Sequence, residues 1–122
     1  MTILIVGEQR SLTARRMKVW WEDEALAAKP LFAALRACCI DPTLDCVFVN
    51  WFDQDKWTVR RHSSGPILAL GKLVQRALTE EGIPYIPLIH PAARGKIRLR
   101  ANYIAHVVAQ LAQLKRPPGG RP

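Results

Sequence analysis

The sequence predicts an α/β domain, a doubly wound, four-stranded parallel sheet with helices on both faces. Three observations lead there: four short apolar runs each close on a polar or turn residue, amphipathic stretches separate them, and the two kinds of segment alternate along the chain. Strands that alternate with helices are joined by right-handed crossovers, which lay the helices over the two faces of a parallel sheet.

The strands are the runs at 3–6, 46–49, 67–70 and 85–89. Short continuous apolar runs fit strands buried on both faces better than strands with one wet side. Ser11 and Thr13, ahead of Arg15 and Arg16, suit the cap of a short helix after the first strand. Residues 29–39 form the next helix: Pro30 fits a first turn, and Leu31, Phe32, Leu35 and Cys38 recur three and four apart on one stripe. Asp41-Pro42 marks its end. The clearest stripe is Leu70, Leu73, Val74, Ala77 and Leu78, stopped by Gly82. Ile104, Val107, Val108, Leu111 and Leu114 define the last helix. Arg98 and Arg100 stand near its start, where the helix dipole disfavours cations, so they are expected to face an anion.

These elements make one domain over 1–114, since 122 residues divided in two would leave halves too small for a core. The stretch 115–122, with Pro117-Pro118-Gly119-Gly120, has nothing to bury and is expected to be a disordered basic tail. With 49% hydrophobic and 23% charged residues, the chain has the composition of a folded globular protein. A net charge of +8, from 18 Lys and Arg against 10 Asp and Glu, points to a polyanionic partner, with nucleic acid ahead of anionic lipid. No apolar run approaches the ~20 residues of a membrane span, and a cytoplasmic location is expected. Cys38, Cys39 and Cys46 form no CxxC pair and cannot supply the four thiolates of a typical iron–sulfur cluster, so no metal or other cofactor is expected.

In an open parallel sheet, ligands bind where the strands end, because the loops diverge there into a crevice. The exits read Gly7-Glu8-Gln9-Arg10, Asn50-Trp51-Phe52, Gly71 and His90-Pro91: an acid, an amide and an imidazole aimed at one rim. In this order they resemble the uracil-DNA glycosylase superfamily. Gly7-Glu8 is similar to that family's G-[EQ]-x-P loop, and Val47-Phe48-Val49-Asn50 to its strand ending in a base-reading Asn. Ile67-Leu68-Ala69-Leu70-Gly71 resembles its V-x-A-L-G turn, and His90-Pro91-Ala92-Ala93-Arg94 its H-P-S-type loop. The resemblance spans 3–114. The motif Pro after Glu8 is absent, Ala92 replaces the motif Ser, and Gln9 stands where the best-studied members carry a water-activating Asp.

The resemblance implies a monofunctional DNA glycosylase that removes uracil or a related modified pyrimidine, with no lysine in a motif suited to lyase chemistry. His90 would donate a hydrogen bond to the base carbonyl. Glu8, ranked above Gln9, would position water or stabilise the sugar cation. Asn50 would read the base edge, and Trp20 or Trp21 would stack on the flipped base. Arg94 would fill the gap in the duplex, while Arg10, Lys96, Arg98 and Arg100 would hold DNA phosphates. Two alternatives stay open: a non-catalytic nucleic-acid-binding protein on the same fold, and a nucleotide or nucleoside binder. Plain structural roles stay open as well, since a His before Pro can simply end a strand and Asn often caps one. His62 and His106, which lack a partner pattern, read as surface or helix-face residues.

Overall fold

The computed structural model of the protein describes residues 2–9, 12–18, 20–24, 26, 28–52, 56–93 and 95–112. Four parallel strands lie in the order β2-β1-β3-β4: β1 (Ile3–Gly7), β2 (Cys46–Asn50), β3 (Ile67–Leu70) and β4 (Ile86–Leu88). Five α-helices accompany them: α1 (Leu12–Met17), α2 (Ala28–Ala37), α3 (Lys56–Arg61), α4 (Lys72–Glu80) and α5 (Arg100–Leu111). Trp21–Asp23 and Lys96–Arg98 are single 3-10 turns. Ser11, Leu114 and the stretch 115–122 lie outside the described residues.

Alternate strand residues feed two cores. Ile3, Ile5, Phe48, Leu68, Leu70 and Leu88 pack against α2 and α5. Leu4, Val6, Val49, Ile67 and Ala69 face the other way, toward Val59 of α3 and Val74 and Leu78 of α4. Helices therefore cover both faces, a layout compatible with double winding, and every residue of β1 and β3 is buried. Gly82 adopts the left-handed conformation (φ +71°) after α4, and the following Ile83 N–H donates back to Leu78 O, which ends the helix where the sequence places the stop.

Three details differ from the sequence pattern. β4 is shorter than 85–89, because Pro87 brings no N–H and Ile89 bonds to a helix instead of a strand. Leu73 (54% exposed) and Val108 (38%) sit at the margins of their helical stripes, outside the core that their neighbours Val74 and Val107 enter. The helix α3 appears in a stretch with no apolar period, held by the single buried Val59.

The register Gly7↔Asn50 and Leu70↔Leu88 aligns the strand ends along one rim. The chain turns from β1 outward to β2, then crosses back past β1 to β3. The crevice expected at such a reversal opens between the loops that leave β1 and β3.

Candidate active site

Glu8 follows β1 directly, and Gly71 follows β3. Gly71 has φ +93°, and a Cβ built there would lie 2.8 Å from Glu8 Oε2 and 3.5 Å from His90 Cβ. The left-handed backbone favours glycine here, and its missing side chain lets the Glu8 carboxylate lie close over the backbone near His90. Its N–H donates to Leu88 O at 3.0 Å, which ties the exits of β3 and β4. Gln75, one turn into α4, reinforces that tie by donating from Nε2 to Ala69 O (3.1 Å) and Leu88 O (3.0 Å).

His90 is half-buried in a tight turn, with the Ala93 N–H donating to His90 O at 2.9 Å and Pro91 at the second position. The Ala92 N–H donates to His90 Nδ1 at 3.0 Å. An imidazole that accepts at Nδ1 carries its proton on Nε2, leaving one N–H to offer. Burial holds His90 below its ordinary value of 6.5, partly offset by attraction to Glu8, so the ring is neutral near pH 7.

The residue before His90 is clamped from α5. Tyr103 Oη donates to Ile89 O at 2.9 Å, and His106 Nε2 accepts the Ile89 N–H at 2.9 Å. Gln110 Nε2 donates to Pro87 O at 2.7 Å. These three stand on one face of α5, and because β4 is an edge strand, they supply the partners its outer side lacks. Burial raises Tyr103, which stays a donor, and lowers His106, which stays neutral and free to accept. His106 is a helix-face residue, one of its two sequence readings, and acts as a positioning residue there, while His62 bonds Thr2 O through Nε2 at 3.1 Å.

Between these elements lies a cavity of about 400 Å³ lined by Glu8, Gly71, Lys72, Gln75, His90 and His106, among others. That volume suits a small ring-sized ligand. The structure therefore brings Glu8 and His90 into one hollow. Asn50 does not line it: it is 2% exposed, and its Oδ1 accepts the Trp21 indole N–H at 2.8 Å. Trp21 stacks on Phe48 with centroids 6.1 Å apart and stands 6.5 Å from the His90 ring, so it fills the space between amide and imidazole. Gly7 permits this, since a Cβ there would fall 2.6 Å from Asn50 Oδ1 and 2.9 Å from the Trp21 ring.

Of the other expected site residues, Gln9, Trp20, Lys96 and Arg100 are exposed. Arg98 belongs to the 3-10 turn before α5, and Arg10 and Arg94 lie outside the described residues. Gly71 is legible in the sequence as a strand exit, whereas Lys72, Gln75 and the α5 clamp are site residues that sequence reasoning missed. The signal for the clamp was present in the spacing of Tyr103, His106 and Gln110, three polar groups on one helical face. Among the described residues no group of His, Cys, Asp or Glu could hold a metal, and no helix is long and apolar enough to cross a membrane. The three cysteines are unbridged, and burial with nearby Asp45 and Asp41 pushes the Cys46 thiol up to about 12.

No family model, curated protein or solved structure matches the chain.

Proposed function

We propose that the chain is a monofunctional DNA glycosylase that hydrolyses the N-glycosidic bond of uracil or a related modified pyrimidine. One observation carries this reading: Glu8 and His90 share a ring-sized cavity over Gly71, a carboxylate and a neutral imidazole donor set against each other. Breaking the bond leaves positive charge on the sugar and negative charge on the departing base. A catalyst therefore needs an anion on one side and a hydrogen-bond donor on the other. Glu8 answers the first need and can hold the attacking water. The Nε2–H of His90 answers the second, stabilising the base oxyanion without giving up its proton. Water's oxygen bonds the sugar carbon, one of its protons passes to solvent, and the base leaves to be protonated there. A surplus of basic residues supports DNA as the partner.

Lys72 lines the same cavity, so the hydrolytic reading has a built-in control. A lyase would form a Schiff base there that borohydride traps as a covalent protein–DNA adduct, whereas a hydrolase leaves none. The primary test is incubation with oligonucleotides carrying uracil or hydroxymethyluracil, followed by alkali cleavage and identification of the released base. Release that is lost in His90→Ala and Glu8→Gln supports the assignment, and release undiminished in both overturns it.

One observation favours a second reading. Asn50 is sealed behind Trp21, so a base could meet its amide oxygen only after the indole has left it. A non-catalytic nucleic-acid-binding protein on this fold has no need of that exchange. Salt-sensitive binding of DNA with every base left in place would select it.

A further inference from the structure

A second surface lies on the β2 side of the Glu8 exit. The Trp51 N–H donates to Gly7 O at 2.8 Å and the Phe52 N–H to Glu8 O at 2.9 Å, so the chain leaving β2 stays tied to the end of β1 before α3 begins. Trp51 is buried against the α3–α4 core, but Phe52 is 49% exposed and Trp57 is 55% exposed. Asp53, Gln54 and Asp55 between them lie outside the described residues. The helix α3 contributes Lys56, Arg60 and Arg61 and no acid.

A cation stands over each exposed ring, Lys56 being shared between Phe52 and the buried Trp51. Lys56 Nζ stands 4.9 Å from the Trp51 centroid and 5.8 Å from that of Phe52, and the Arg61 guanidinium stands 5.5 Å from Trp57. Arg60 is engaged elsewhere, in an ion pair with Glu81 at 2.7 Å. A cation over one side of a half-exposed ring leaves the remaining ring surface for a base and offers the charge to its phosphate, which matches one nucleotide. In a duplex the base faces are consumed by stacking on each other, so the bases that can stack on these rings are unpaired ones.

We propose that Phe52 and Trp57, with Lys56 and Arg61, bind single-stranded nucleic acid on a path running off the Glu8 exit. This surface is separate from the cavity and stands whether or not the chain cleaves a glycosidic bond. Fluorescence anisotropy of the full chain with a labelled, uracil-free thymidine oligonucleotide tests it. The strand binds more tightly than the matching duplex, and Phe52→Ala and Trp57→Ala each weaken it by about tenfold. Trp57→Tyr, which keeps a ring, retains most of the affinity, and Arg61→Gln flattens the salt dependence. Unchanged melting of the ring variants excludes misfolding, and the uracil-free strand, from which no base is released, separates this result from the glycosylase assay. Equal affinity for duplex or inorganic polyphosphate, ring variants that bind like the parent chain, or no binding at all would each overturn the proposal.

Discussion

Two neighbouring strand exits of this sheet carry polar residues of similar promise and put them to opposite use. At the β1, β3 and β4 ends, Gly71 withholds a side chain, and the space left over lets Glu8 and His90 share an open hollow. Where the end of β1 meets the end of β2, Gly7 also withholds a side chain, but Trp21 occupies the space and seals Asn50. A polar group at a strand end stays open to a ligand only if nothing larger arrives to satisfy it. The first region should govern turnover and the second stability, and four measurements press on that division.

The largest effect belongs to His90→Ala. On the proposed glycosylase reading, removing one preorganised donor to a developing oxyanion slows turnover by about 10²–10³-fold. Its melting temperature should move little, since the imidazole accepts only one local backbone bond. A large drop in melting temperature would put His90 in the structural region and break the contrast. Asn50→Ala should act the other way. It leaves the Trp21 indole N–H without its buried acceptor, a loss of about 1–3 kcal/mol visible as a melting temperature lower by several degrees. An Asn50→Ala protein as stable as its parent would show the seal to be incidental.

Acidity sharpens the same line. Burial holds both His90 and His106 below 6.5, so the unfolded chain takes up their protons more readily than the folded one. Their contribution to stability is complete above about pH 6.5 and is lost as pH falls through the lowered folded values. Melting temperature recorded from about pH 7 down to about pH 5 should therefore fall. The fall should be shallower in His106→Gln, which has no proton to gain, and an identical slope would remove His106 from the account. Trp21→Phe keeps an aromatic ring against Phe48 but trims the indole and takes its N–H donor from the buried Asn50 oxygen, so a comparable loss of about 1–3 kcal/mol is expected in denaturant unfolding.

The elements legible in the sequence are those whose own residues decide them. β1 and β3 could be read because strands buried on both faces are continuously apolar, and α4 because its stripe and Gly82 agree. The rim position of Glu8 and His90 followed from the alternation of strands and helices. What stayed hidden depends on pairs distant in the chain. Trp21 and Asn50 are 29 residues apart, and nothing local to either shows that the indole will choose the amide. Gly71 reads as a simple turn until its neighbours are known, and α3 owes its existence to Val59 finding the β-sheet, a tertiary choice that short polar helices leave unannounced.

The clamp of α5 on β4 also fixes how this sheet can meet its own kind. Pro87 offers no donor on the outer margin, its carbonyl accepts from Gln110, and His106 and Tyr103 take the N–H and the carbonyl of Ile89. Fibrillar growth by adding strands is thereby blocked on that flank and confined to the opposite one, where β2 ends the sheet and Val47 is 44% exposed.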